Sequence, residues 1–149
     1  MMNVVTGVGP RVGSSFVMKK CLDAGLNVKY DSVLEGMLPK EGNPSGYYEY
    51  NPNDLGTLTD GVVKVWPLFL HKVVPKKLVV LRRENTGRQY ASIRKQAIRE
   101  GGSVYPPQWV EQSLVALLEF LPQCQAEIRV YNTEDLENTI DEIINFLGE

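Results

Sequence analysis

Apolar and polar positions fall in blocks along this chain, and the period of the blocks switches repeatedly. Val4 and Val5 open a short apolar run that reads as a buried strand and gives way to glycines at Gly7, Gly9 and Gly13. From Ser14 to about Ala24 the period lengthens. Val17, Cys21 and Ala24 share one face, as do Met18 and Leu22, so a helix is predicted with Gly25 as its stop. Leu26 to Pro52 has no clean period and collects glycine, proline, asparagine and tyrosine; an ordered, aromatic-rich loop is expected there, with one short helix at most before it. Val62–Trp66 is a short strand ended by Pro67, and Leu68–Val74 is expected to form a helical turn or two carrying His71. Leu78–Leu81 is apolar throughout, the pattern of a parallel strand buried on both faces.

The second half continues the alternation. A helix is predicted from about Arg88 to Glu100 with Tyr90, Ile93 and Ala97 inward, stopped by Gly101-Gly102. Pro106-Pro107 opens another, with Val110, Leu114, Leu117, Leu118 and Leu121 as its apolar stripe and Pro122 closing it. Glu127–Tyr131 reads as the last strand. Asn132 or Thr133 is expected to cap a final helix whose buried face is Leu136, Ile140, Ile143, Ile144 and Leu147. Strands alternating with helices predict an α/β fold: a mainly parallel sheet with helices on both faces, in one domain over residues 1–149.

Composition changes this picture little. A chain of 149 residues can bury a sizeable core, and a net charge of −2 argues against a dedicated nucleic-acid binder. The charge is uneven, however. Bases accumulate from Lys72 to Arg99 against one acid, Glu84, whereas Arg129 is the only base after Glu111. Such a split is either a solvated face or a positive rim for an anionic ligand. Cys21 and Cys124 match no metal or redox spacing, and Cys21 on the inner side of the first helix suits packing. No apolar run approaches membrane-spanning length and no signal pattern opens the chain, so a cytoplasmic protein with no membrane partner is expected, and no metal site.

Candidate chemistry concentrates in Gly9-Pro10-Arg11-Val12-Gly13-Ser14-Ser15, between the first strand and the first helix. Glycines let successive amides converge, the helix adds the positive end of its dipole, and Arg11 supplies a charge able to bind phosphate oxygens in pairs. Ser14 and Ser15 can cap the helix or donate to the same anion. The usual ATP-binding loop ends in Gly-Lys-Ser/Thr, and here Gly13 is followed by serine with no lysine. An ordinary strand-to-helix turn is the plainer alternative.

The order Pro-Arg-x-Gly-Ser-Ser resembles the 5′-phosphosulfate loop of sulfotransferases, with Val12 in place of the customary serine. Further pieces follow in the family's order. Gly42-Asn43-Pro44-Ser45-Gly46-Tyr47-Tyr48-Glu49 resembles the Asn-Pro-x-Gly-Tyr-Trp/Phe-Glu segment of small bacterial sulfotransferase-like proteins. Val63–Pro67 resembles their lysine-bearing strand, and Val79–Arg83 with Ser92 the motif that holds a 3′-phosphate. Val130–Leu136 and Phe146-Leu147-Gly148 resemble the family's tail. The resemblance implies a three-layer P-loop NTPase-like fold that binds 3′-phosphoadenosine-5′-phosphosulfate and moves its sulfuryl group to a hydroxyl or amine of a small-molecule or glycan acceptor, releasing adenosine 3′,5′-bisphosphate. It implies that Gly9, Pro10, Arg11, Val12, Gly13, Ser14 and Ser15 hold the 5′ side, and Arg83 or Arg82 with Ser92 the 3′-phosphate. Arg11 and Lys64 would offset charge on the bridging oxygen.

The departures are specific. Arg83 and Ser92 stand nine positions apart where the family has eight, and Trp66 occupies the place of the histidine base of cytosolic sulfotransferases. Glu49 is then the candidate base, against the plainer reading of a loop glutamate paired with a nearby cation. Tyr47, Tyr48 and Tyr50 either line an acceptor pocket or anchor the loop by packing. Two other functions stay open: a small-molecule or nucleotide kinase on a P-loop scaffold, and a non-catalytic nucleotide- or anion-binding module.

Overall fold

The computed structural model describes residues 2–31, 48–99 and 108–149, apart from the side chains of residues 96, 97 and 99. Five strands form one sheet: β1 (Met2–Gly7), β2 (Val28–Lys29), β3 (Val62–Lys64), β4 (Pro75–Arg82) and β5 (Glu127–Asn132). Their order is β2-β3-β1-β4-β5, and every pairing is parallel. Parallel neighbours need crossovers. These are supplied by α1 (Ser14–Asp23), α2 (Thr86–Arg99) and α3 (Trp109–Phe120), with α4 (Leu136–Gly148) returning after β5. Pro75 is tolerated at the first position of β4, where no central ladder bond depends on it.

Successive strand residues face opposite sides, and both sides are covered. Val5, Val79 and Leu81 pack with Val17, Met18 and Cys21 of α1 and with Ile143, Phe146 and Leu147 of α4. Val4, Leu78 and Val80 pack with Leu117 of α3 and with Leu55 and Leu70 of two 3₁₀ turns, Pro52–Thr57 and Pro67–Lys72. Each fully buried Val, Leu or Phe of these layers contributes about 1.5–3 kcal/mol relative to exposure. The Cys21 thiol lies inside the first layer, and burial pushes its pKa up to about 11, in keeping with a packing role.

Several elements depart from expectation. β2 lies inside the stretch that shows no period; at two residues it is too short to display one. The strand expected over Val62–Trp66 ends at Lys64, because Pro67 starts a 3₁₀ turn with Trp66 as its N-cap. Neither Asn132 nor Thr133 caps the last helix through its side chain; a 3₁₀ turn, Thr133–Asp135, precedes α4. Leu114 and Leu118 are exposed, not part of the α3 core stripe; the buried line of α3 is Val110, Ser113 and Leu117. Ala97's side chain, the Gly101-Gly102 stop and the Pro106-Pro107 opening lie outside the described residues, as does the segment from Gly42 to Tyr47.

Candidate functional site

The order β2-β3-β1-β4-β5 sends the chain outward in opposite directions after β1 and after β4. In open parallel sheets a crevice forms beyond the carboxyl ends of two such strands, and ligands bind there. The glycine loop lies at that place. Val8 N–H donates to Leu81 O at 2.9 Å, so the loop leaves β1 still tied to β4.

Protein donors hold almost every carbonyl of the loop. Gln89 Nε2 donates to Val8 O and to Pro10 O, both at 2.8 Å. Arg83 Nε donates to Arg11 O at 2.6 Å, and Thr133 Oγ1 to Val12 O at 2.6 Å. Gly13 O accepts the first helical bond of α1, from Val17 N–H at 3.1 Å. With the acceptors turned into the protein, the opposite groups remain. Gly13 caps α1 with no side-chain bond, and the first-turn amides of Ser14, Ser15 and Phe16 have no acceptor within the helix by its geometry. They sit at the positive end of the helix dipole.

The backbone shape demands its glycines. Gly9 and Gly13 have φ of +83° and +90°. A Cβ at Gly9 would stand 2.9 Å from Val110 Cγ2, and one at Gly13 2.6 Å from Leu136 Cδ1. Val12 is buried against Gly7, so its side chain belongs to the core and only its backbone to the loop. Arg11 adopts φ +64°, and Tyr48, just before Glu49, φ +54°; among the described residues they are the two non-glycines in the left-handed region. Strain of this kind collects at functional sites.

Three of the expected anion-binding residues meet here. Arg11 Nε donates to Ser92 Oγ at 3.1 Å while Arg83 donates to the Arg11 carbonyl, so Arg11, Arg83 and Ser92 form one group at the loop's edge. Arg82 is exposed at the end of β4, and no hydrogen bond among the described residues ties it to the loop. Glu134 receives the Glu84 and Asn85 amides at 3.1 and 3.3 Å, fixing the turn that carries Arg83.

A second cluster lies at the end of β3. Lys64 Nζ is 2.8 Å from Glu49 Oε1, and Trp66 Nε1–H donates to Glu49 Oε2 at 3.3 Å. The side chains of Lys64 and Glu49 are 5% and 26% exposed. Burial lowers the Lys64 pKa, and the Glu49 carboxylate opposes it. Lys64 stands in register with Val5, so it occupies the sheet face that α1 covers. The structure thus joins Glu49 and Lys64 and places at Trp66 a donor that orients the carboxylate.

The remaining candidates lie apart. His71 lines a groove of about 650 Å³ with Pro75, Lys76 and Cys124, at the amino-terminal edge of the sheet. Tyr48 is buried and meets Tyr30 edge-on at 5.3 Å, a packing anchor, and Tyr50 packs on the α3 side. Gln89 and Thr133 were missed by the sequence reading. Gln89 lies one helical turn before Ile93 on the face that pattern marks as inward, which was its signal; Thr133 carries none beyond its use as a cap.

Fold and geometry define an all-parallel α/β protein with a sealed glycine cradle and two arginines at the carboxyl ends of its central strands. Set against models of known protein families and against curated protein sequences, the chain matches none. Among the described residues no helix is long and apolar enough to cross a membrane, and no three His, Cys, Asp or Glu side chains gather to hold a metal ion.

Proposed function

We propose that the chain is a sulfotransferase on a P-loop NTPase-like scaffold, moving a sulfuryl group from 3′-phosphoadenosine-5′-phosphosulfate to a hydroxyl or amine acceptor. The observation that carries this reading is the convergence of Arg11, Arg83 and Ser92 on a loop whose carbonyls are occupied from within. A cradle with its acceptors tied back and two guanidinium groups at its rim suits a nucleotide bearing phosphates on both sides of the ribose. The amides of Gly13 to Ser15 and Arg11 would hold the 5′ side, Arg83 and Ser92 the 3′-phosphate.

The transfer forms a bond from the acceptor oxygen or nitrogen to sulfur and breaks the bond from sulfur to the bridging oxygen. The acceptor's proton passes to Glu49, and adenosine 3′,5′-bisphosphate leaves. Trp66 and Lys64 orient Glu49 through both of its oxygens, and the proton is taken as the Lys64 contact loosens. Once protonated it no longer neutralises Lys64, whose charge then becomes available to the leaving oxygen. A kinase would need a carboxylate turned toward Mg²⁺; Glu49, at the end of β3, is held by Lys64 and Trp66, and β4 ends in Arg82.

Thermal unfolding with adenosine 3′,5′-bisphosphate, beside ATP with Mg²⁺, tests the reading. At a hundredfold excess over Kd the bisphosphate stabilises by about 2.7 kcal/mol. Each kcal/mol raises Tm by roughly 2–4 °C in a chain of this size. A rise with ATP alone favours the kinase. A rise with the bisphosphate but no turnover with any acceptor favours a binding module, and no rise with either sinks the proposal.

A further inference from the structure

We propose that the chain forms a two-fold dimer by pairing β5 with β5 of a second copy, antiparallel and centred on Ile128. This goes beyond the reading of the cradle and does not depend on it. β5 is an outer strand: β4 takes one edge, and among the described residues no strand takes the other. Its sequence, Glu127-Ile128-Arg129-Val130-Tyr131-Asn132, contains no proline and no lysine to discourage pairing.

The two faces of this edge differ. Register with β4 sets Ile128 beside Leu78 and Val130 beside Val80, on the side that α3 covers. The cover stops short of them, for Ile128 is 36% and Val130 56% exposed. On α3, Leu114 and Leu118, one turn apart on the flank away from Ala116 and Phe120, are 43% and 58% exposed. Ile128 and Val130 thus present an apolar face along an open strand edge.

The other face selects the register. Glu127, Arg129 and Tyr131 lie on the α4 side, where Arg129 stacks on the Phe146 ring at 4.3 Å. Opposed residues of an antiparallel pair share a face, so a two-fold axis perpendicular to the sheet passes through a residue position. Centring on Arg129 would oppose two arginines. Centring on Ile128 sets Glu127 opposite Arg129 of the second copy twice over, stacks Ile128 on Ile128 and sets Val130 on Ala126. Opposite charges across a ladder favour pairing, and like charges oppose it. Arg129 is already held at this edge, 3.8 Å from Glu127 and 3.5 Å from Glu142.

Sedimentation velocity of the full chain, from micromolar to sub-millimolar concentration, tests the dimer. The chain is expected to sediment as a dimer in the upper part of that range; a monomer throughout overturns the proposal. Val130→Lys, at an exposed position, should weaken association more than about tenfold and leave the circular dichroism unchanged. A dimer that survives it overturns the assignment to this edge. Arg129→Glu should also give monomer, and adding Glu127→Arg should restore the dimer. If the double variant is folded yet stays monomeric, the Ile128-centred register is wrong.

Discussion

The two edges of the sheet treat helix ends in opposite ways. At the amino-terminal edge, α4 finishes with carbonyls that helix geometry leaves without partners, and strand side chains reach up to meet them. Asn3 Nδ2 donates to Leu147 O at 2.8 Å, and the buried Lys77 Nζ to Phe146 O at 2.7 Å, with its charge over the Phe146 ring at 5.1 Å. At the carboxyl-terminal edge, α1 begins with amides that are equally without helical partners, and among the described residues no side-chain cap is formed there. Three polar side chains there, Gln89, Arg83 and Thr133, bind loop carbonyls instead. One edge spends its polar groups on closing a helix end. The other spends them on holding a helix end open. The proposed anion site rests on that contrast more than on the glycine count.

Substitutions at the two edges should therefore separate stability from ligand response. The largest loss is expected from Lys77→Met, which keeps the aliphatic stem but orphans the buried Phe146 carbonyl and removes the charge at the carboxyl end of α4. Chemical denaturation should show a loss of about 2–3 kcal/mol. The rise in Tm with adenosine 3′,5′-bisphosphate should be undiminished. A lost ligand response would show that the two edges are not independent.

Glu49→Gln comes next, at about 2 kcal/mol, because it leaves Lys64 charged and buried without its carboxylate. The loss should depend on pH. Burial already lowers the folded Lys64 pKa below its ordinary 10.5, with Glu49 opposing. The unfolded chain therefore keeps this proton to higher pH than the folded one, so this group's contribution to stability rises with pH between the lowered value and 10.5. Without Glu49 the folded pKa falls further, and the window widens downward. Denaturation across the alkaline range should show the variant recovering part of its loss as pH rises. A deficit constant with pH would place the cost in packing.

At the carboxyl-terminal edge the expected stability effects are smaller and the functional ones larger. Arg83→Ala leaves the Arg11 carbonyl unpaired at a site open to water, costing about 1 kcal/mol. It should remove most of the thermal shift given by the bisphosphate and leave any shift given by inorganic phosphate, which needs only the loop. Equal loss of both would mean that Arg83 shapes the loop and has no share in ligand choice.

How far the sequence revealed this depended on whether a residue's neighbours lie near it in the chain. β1, β4, α1 and α4 repeat their periods over enough residues to be read directly, as the buried Val17, Cys21, Ile143 and Leu147 attest. β2 spans two residues and has no period to read. Leu114 and Leu118 continue the α3 stripe perfectly well, but a stripe says only that residues share a side of the helix, not how wide a surface faces them. In the site, Arg11 and Arg83 stood out by type and place. The bonds that give them meaning join positions far apart in sequence, Thr133 to Val12 and Gln89 to Val8, and no local pattern carries those.

The smallest effect sharpens the comparison within a single strand. Near each end β1 buries an oxygen with no hydrogen-bond partner among the described residues, Asn3 Oδ1 and Thr6 Oγ1. Asn3 has a reason to be there, since its amide closes α4. Thr6, which precedes the loop by one glycine, has no such bond among the described residues. If its hydroxyl serves only to fill space, Thr6→Val keeps the β-branched shape and removes a buried polar group, so stability should rise by about 0.5–1 kcal/mol. The response to the bisphosphate would then be unchanged. If instead the hydroxyl takes part in ligand binding from beneath the loop, the same variant should be more stable without ligand and less stabilised by it. Measuring both quantities on one protein assigns the orphaned oxygen to the core or to the cradle.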